Sequence, residues 1–273
     1  MRLDNLHEDV SLLPDGVNYK ELTVSDFDFR FITTKADKDA IVQFIKRHEW
    51  LGTITQYTTH YFGCYYKDIL AGAILFSMPN GFSKILGDDT SSIERLISRG
   101  ACISWSPKCL ASAFMMWCIN WMVKNTQYRL FTAYSDPTAK ELGTIYQACN
   151  FYYLGQKSGT TTRYINPYTG KLVSDRFFRQ RSAYKKYAKE LGIAWDNSWT
   201  EGTRILWHMM PDDVASALRN ASKIKQQNAP KVDFPPKHKY AYVLGRTKNE
   251  TKQLRKRFLS MNKVYQYPRE RGK

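Results

Sequence analysis

The stretch YSDPTAKELGTIYQACNFYYLG, residues 134–155, decides the fold. It reads as the end of one strand, a helix over 137–150 opened by Pro137, and a second, aromatic strand over 151–156. Such a passage is a hinge of an α/β core. It sets Asp136 at the carboxyl end of a strand and Tyr146 ten residues further on, in the helix. Open α/β sheets place their chemistry at such strand ends, where a carboxylate can orient an amine or hold a divalent metal. An Asp there equally caps the following helix, and a helical Tyr equally fills a core with its hydroxyl bonded. Both alternatives stand at this level.

Working outward, YRLFTAYSD (128–136) is the incoming strand, and SPKCLASAFMMWCINWMVKN (106–125) is a helix apolar almost all round, hence buried. IERLISRGACISW (93–105) reads as a buried strand, and THYFGCYY (59–66) with ILAGAILFS (69–77) as a hairpin. FRFITT (29–34) is a strand, and KADKDAIVQFIKRHEW (35–50) has helical spacing at Ala40, Ile41, Phe44 and Ile45. A further strand is expected at 161–166. The order β-α-β-β-β-α-β-α-β predicts an α/β fold with a mixed sheet flanked by helices. The Gly/Pro/Asp-rich segment 78–89 is a loop, either a lid or a plain connection. The expected division is an acidic segment 1–28, a core 29–172 and a basic C-terminal extension 173–273 packed on the core. Within the extension, 175–192 reads as a basic helix, 200–213 as holding a short strand, 227–245 as a Pro-rich linker and strand, and 247–263 as a helix or basic arm.

Hydrophobic residues make up 43% of the 273 and aromatics 14%, enough for a sizeable core. The net charge is +16 and uneven: from Arg219 to Lys273 there are 16 Lys/Arg against three acids. A polyphosphate is the natural partner for such a field, because each neutralised phosphate releases counterions. A membrane surface suits it less, since no strongly apolar face accompanies the charge, and the alternative is a solvated basic surface. Five cysteines without CxxC spacing point to reduced thiols. No apolar run reaches membrane-spanning length, and MRLDNLHEDVSLL lacks the apolar stretch of a signal peptide. The expectation is a cytoplasmic protein without membrane association.

The order of elements resembles the core of GNAT-type acyltransferases, where a hairpin, a long strand, a helix, a splayed strand and a further helix bracket acetyl-CoA. More narrowly, residues 134–155 resemble the block of the phage Mom family of DNA adenine modification proteins, in which a strand ending in ADP or SDP precedes GTIYQATNWLYLG. KHKYAYVLG (237–245) is similar to that family's basic-aromatic C-terminal strand, and HYFG (60–63) sits where the family has a His-Tyr pair. The resemblance implies a GNAT-like transferase that converts the N6 amino group of adenine in double-stranded DNA to a carbamoylmethyl derivative. It further implies acetyl-CoA as donor, a bound iron, a phage origin, restriction evasion and action in the host bacterial cytoplasm.

Carried over by position, His60, Tyr61, Asp136 and Tyr146 match residues regarded as functional in the family. His60 can serve as a base or, with Asp136, as a metal ligand, or simply bond a carbonyl. Tyr61 points opposite to His60 in a regular strand, so both line one pocket only across a bulge. A phenol at Tyr146 can protonate a leaving thiolate. The glycine-rich loop of ordinary GNAT enzymes is replaced by SPKCLASAF (106–114), where Lys108, Ser112 and the helix N-terminus are expected to meet the cofactor. Arg163, Arg176, Arg179, Lys237 and Lys239 are the expected phosphate contacts. Phe151, Tyr152, Tyr153, Trp195, Trp199 and Trp207 could hold a base, although most such rings belong to cores. The alternatives are a general acyltransferase on a protein or small amine, and a non-enzymatic DNA-binding protein.

Overall fold

Residues 69–77 are apolar at nearly every position, which suits a strand covered on both faces. The computed structural model, which describes residues 5–79, 81–158 and 162–269, places that strand inside a seven-stranded sheet. In chain order the elements are α1 (Leu6–Val10), β1 (Asp28–Ile32), α2 (Lys35–His48), β2 (Thr58–Tyr66), β3 (Ile69–Ser77), β4 (Glu94–Cys102), α3 (Leu110–Asn125), β5 (Leu130–Ser135), α4 (Thr144–Ala148) and β6 (Tyr152–Ser158). There follow β7 (Thr162–Ile165), β8 (Leu172–Val173), α5 (Arg181–Glu190), β9 (Thr200–Glu201), β10 (Arg204–Ile205), α6 (Asp212–Asn228) and β11 (Lys231–Asp233). The chain closes with β12 (Lys237–Val243) and α7 (Lys248–Met261).

The main sheet runs β1-β2-β3-β4-β5-β12-β6. Every pairing is antiparallel except β4 with β5. Those two parallel strands pair only from Glu94–Leu130 to Ile97–Ala133. Beyond Ile97 they part, so the β4 main chain from 98 to 102 faces an opening rather than a strand. A register shift in the β3–β4 ladder between Leu75 and Phe76 falls at the same level, where a bulge bends a strand. The GNAT-like order and its splayed strand pair are therefore present.

Side-chain alternation assigns the two faces. His60 and Phe62 reach Trp121 of α3, whereas Tyr61 lies under Lys38 of α2. Phe62, Phe76, Phe114, Phe131 and Ile41 are fully buried in the core that both helices cover. On the far half of the sheet, Phe258 of α7 packs with Leu130, Leu154 and Val243.

The structure draws the chain's division differently from the expected boundary at 172/173. One compact unit comprises 1–158 and 237–273, and the other 159–236. The reason is β12, which inserts between β5 and β6 and completes the core from the far end of the chain. The smaller unit has its own core, built on Tyr184, Tyr187, Trp199 and Leu218 from α5, α6 and the segment between them. Helix α6 was not expected from sequence.

Two helices start or break where sequence did not place them. The helix expected from 106 begins at Leu110, with Cys109 ahead of it in the left-handed conformation (φ 67°). The helix expected over 137–150 is a 3-10 turn at Pro137–Ala139 and then the short α4, because Lys140 (φ 57°) and Gly143 (φ 65°) are left-handed. Gly143 is required there: a Cβ would stand 2.5 Å from the Tyr240 ring. Among the described residues no helix is long and apolar enough to cross a membrane.

Candidate active site

The opening between β4 and β5 is a cleft with two chambers. The larger, about 740 Å³, lies toward the start of α3 and is lined by Ala101, Cys102, Pro107, Lys108, Cys109 and Ala111. The smaller, about 310 Å³, lies toward the end of β5 and is lined by Arg99, Tyr134, Asp136, Lys140 and Lys237. Glu49, Trp50, Ile97, Gly100, Glu141, Ile145 and Tyr146 line both. This shared wall is where a group held in one chamber meets a group held in the other.

Glu49 and Trp50 are the first residues beyond α2. Glu49 is already extended, and the chain turns at Gly52 (φ 58°), whose amide donates to the Glu49 carboxylate at 3.1 Å. Arg99 of β4 stands 3.5 Å from the same carboxylate, which is only 16% exposed. Burial raises the Glu49 carboxyl, and the nearby Glu141 charge adds to it. Arg99 and the Gly52 amide pull the other way without cancelling the rise.

Asp136 accepts from the Thr138 amide (3.0 Å) and hydroxyl (2.6 Å), so it does cap the turn that follows β5. It also pairs with Lys237 of β12 at 3.0 Å. Burial works to raise its carboxyl, but the Thr138 hydroxyl and Lys237 outweigh burial and hold it below the ordinary carboxylate range. Two of the three cleft carboxylates are thus driven apart, Glu49 made more basic than an ordinary carboxylate and Asp136 less so, which gives them different roles. Glu141 links the two neighbourhoods, accepting from the Trp50 indole N–H at 2.9 Å and from the Asp136 amide at 3.2 Å. The Tyr146 ring packs on Phe151 (5.4 Å) and Tyr240 (5.2 Å), and burial pushes its phenol well up, so it stays protonated.

Asp136, Tyr146 and Lys108, expected from sequence, thus share the cleft. Ser112 stands near it in the first turn of α3, but its hydroxyl donates to the helix's own Cys109 carbonyl at 2.9 Å. Left-handed Cys109 makes the turn that a glycine makes at less cost. It leaves the Ala111 and Ser112 amides in the first helical turn, where a helix supplies no acceptors. With Lys108, that corner fits an anion such as a pyrophosphate.

The structure does not bring His60 and Tyr61 to this cleft. His60 lies among the rings of Phe31, Tyr128 and Trp121 near the far end of α3, with Nδ1 2.9 Å from the Thr59 hydroxyl. Burial and then the Arg95 charge depress it to about 4, so it is neutral at physiological pH. Tyr61 lies on the opposite face; a register shift next to His60 does not unite the two. The ladder His60–Phe76–Ile97–Ala133 separates His60 from β5 by three strand steps, about 14 Å, and Asp136 lies about 10 Å further along. His60 and Asp136 therefore do not fit as a metal-ligand pair. Among the described residues no group of three or more His, Cys, Asp or Glu side chains could hold a metal ion.

The expected phosphate contacts divide. Lys237 is committed to Asp136, and Lys239 is half-buried with its ammonium 5.9 Å from the Tyr134 ring centroid. Arg163, Arg176 and Arg179 are exposed in the smaller unit, Arg179 paired with Asp175. Of the aromatics considered for holding a base, Phe151, Tyr153 and Trp199 are buried and belong to cores. Sequence reasoning missed Glu49, Trp50, Arg99 and Glu141. Nothing in RHEWLG marks a site, since Glu49 and Trp50 meet β4 and the 137–143 turn only through the tertiary fold.

Among solved structures, the chain is similar to a GNAT family acetyltransferase from Elizabethkingia anophelis with acetyl-CoA bound (11% identity, covering 80% of this chain and 99% of that one, TM-score 0.38). It is also similar to an IAA acetyltransferase from Bacillus cereus ATCC 14579 (8%, 80% and 99%, TM-score 0.38). A third is yncA, a putative acetyltransferase from Salmonella typhimurium with its cofactor acetyl-CoA (11%, 54% and 88%, TM-score 0.37). No curated protein is matched. The model of the Mom protein family matches residues 30–268, nearly the whole chain, and the chain belongs to that family.

Proposed function

We propose that the protein is a transferase that attaches a two-carbon unit to the N6 amino group of adenine in double-stranded DNA. This is the step its cleft supplies toward the carbamoylmethyl derivative that the family resemblance implies and that shields phage DNA from host restriction. Family membership supports the substrate. The observation that carries the reading is the shared wall between the two chambers, where Glu49 and Tyr146 stand between a donor corner and an acceptor corner.

The N6 lone pair is delocalised into the purine, so the amine is a poor nucleophile and must shed a proton as its new bond forms. Glu49, at the wall and made more basic than an ordinary glutamate by burial, is the group suited to take that proton. Tyr146, held as a phenol, is suited to protonate the thiolate released as N6 bonds to the thioester carbon and the C–S bond breaks. Asp136, kept ionised by Thr138 and Lys237, can accept a hydrogen bond from the exocyclic N–H and orient it. Lys108 and the first-turn amides of α3 would hold the pyrophosphate of acetyl-CoA, which supplies a thioester-activated two-carbon unit when bound. Duplex DNA offers N6 to such a cleft only when the base leaves the stack.

The test is mass spectrometry of nucleosides from bacterial DNA after expression of the chain. A deoxyadenosine bearing a two-carbon group in place of one N6 hydrogen, lost in Asp136→Ala, is the expected result. Its mass tells acetyl, the product of the thioester step alone, from carbamoylmethyl, which also takes an amide nitrogen and a two-electron oxidant from the cell. Unmodified nucleosides from well-expressed wild-type protein would overturn the reading.

A further inference from the structure

A cleft that accepts an extruded base needs a surface to replace the stacking that the base gives up. Trp50 is the aromatic side chain placed for it. It lines both chambers and is 42% exposed, while most other large rings of this unit lie in the core. Among the described residues it takes no ring partner. Its one polar atom is used, donating at 2.9 Å to Glu141, whose other oxygen accepts from the Asp136 amide at 3.2 Å. The indole edge is therefore fixed to the segment that carries Asp136, while the exposed part of the side chain borders both chambers. An exposed Trp has no reason to be anchored by a carboxylate for stability alone, because water serves the indole N–H equally well. Anchoring fixes the plane of the ring.

We infer that Trp50 is the stacking platform for the extruded purine, with Glu141 as the residue that sets the angle of its ring. This rests on the reading of the protein as an adenine-modifying enzyme and adds to it the subsite that receives the base. Stacking is indifferent to base identity because every base has a π-face. Selection of adenine then falls to the polar groups beyond the ring, Asp136 and Glu49, which can accept from the amino group that distinguishes adenine from a 6-oxo purine.

The adenine ring of acetyl-CoA is the other planar group that could lie on Trp50, so the test has separate arms. Trp50→Ala is expected to lower the yield of modified adenine by about ten- to a hundredfold, with Trp50→Phe, which keeps a π-face, recovering most of the loss. Acetyl-CoA affinity, titrated on the purified protein, is expected to change by less than about twofold in Trp50→Ala, since stacking lost from DNA alone leaves the cofactor untouched. A third arm does not depend on turnover. A duplex carrying a mismatched 2-aminopurine, which leaves the stack at low cost, reports its own surroundings by fluorescence. Wild-type protein should change that signal in a way that Trp50→Ala does not reproduce.

Equal yields from wild type and Trp50→Ala would overturn the inference, as would a loss confined to acetyl-CoA binding. If wild type makes no modified base, the function reading fails. The 2-aminopurine arm then decides the platform by itself: a Trp50-dependent signal upholds it, and a Trp50-independent one removes it.

Discussion

Glu49 carries a burial cost that the Arg99 guanidinium does not fully offset, and this has consequences of opposite sign for activity and stability. As a base it must be ionised, so activity should rise with pH through a value above that of an ordinary glutamate, about 4.3. Glu49→Gln should remove that acid limb and lower the rate by about a hundredfold or more. Stability runs the other way. A carboxyl whose folded-state pKa is raised favours the folded chain at pH below the unfolded value, and that contribution is lost as pH rises through the folded one. Glu49→Gln should therefore melt at or above the wild-type temperature at neutral pH while losing activity, and a lower melting temperature would contradict this account. His60 titrates in the opposite sense. Its folded pKa is depressed from 6.5 to about 4, so it favours the folded chain above 6.5 and ceases to do so as pH falls toward 4. His60→Gln should flatten the fall in melting temperature across that window; an unchanged profile would mean that His60 is not the group responsible.

At the scale of elements, the turn between β5 and α4 shows what sequence could and could not supply. Strand periods recover each strand from β1 to β6 to within three residues at either end, because each carries its own apolar pattern. The helix expected over 137–150 fails because Lys140 and Gly143 are left-handed, and the one-turn α4 that results puts Tyr146 on the cleft wall. The Gly in KELG was the available signal. Asp136 was legible because a strand end before Pro is a local feature. Glu49, Trp50 and Arg99 were not, because they become neighbours only when the end of α2 meets β4. The place of β12 was also hidden: its seven residues read as a strand, but nothing local says that it enters between β5 and β6. Gly143→Ala tests the turn. A left-handed backbone at a non-glycine residue costs about 1–2 kcal/mol, and the new Cβ would also press on the Tyr240 ring. The expected result is a clear drop in melting temperature and a loss of modification larger than that drop explains, because the Tyr146 wall shifts with the turn. Wild-type melting would show that the turn tolerates a side chain.

Across the whole molecule, a net charge of +16 has to be divided into cations that build the fold and cations that face solvent. Arg129 pairs with Glu250 at 2.8 Å, and Arg246 donates to the Val123 and Thr126 carbonyls near the end of α3. Lys237 is held in the cleft by Asp136. These are structural or site charges. Helix α7 presents a different set. Lys248, Lys252 and Lys256 recur every four residues, so they form one ridge along its surface, and they line a groove of about 850 Å³ with Thr251 and Arg255. All three lysines are exposed, and none has an acidic partner among the described residues. The helix under them is fixed, with Phe258 stacked on Tyr152 at 4.7 Å, so the ridge is a rigid array rather than a loose tail. Successive lysines rise by about 6 Å, close to the axial rise of two phosphates along one DNA strand at about 3.4 Å each. If DNA is the substrate, this ridge is the place where the electrostatic part of its affinity should concentrate. Each phosphate contact contributes about 0.9 to the slope of log affinity against log salt for duplex DNA. Replacing the three lysines by glutamine should flatten that slope by about two to three, roughly alike for every duplex sequence, because phosphate contacts carry no base information. The folded state and acetyl-CoA affinity should not change, since the ridge supports neither. A slope unaltered by the triple change would move DNA binding away from α7, to the exposed arginines at 163, 176 and 179, whose replacement in the same titration would then have to produce the missing effect.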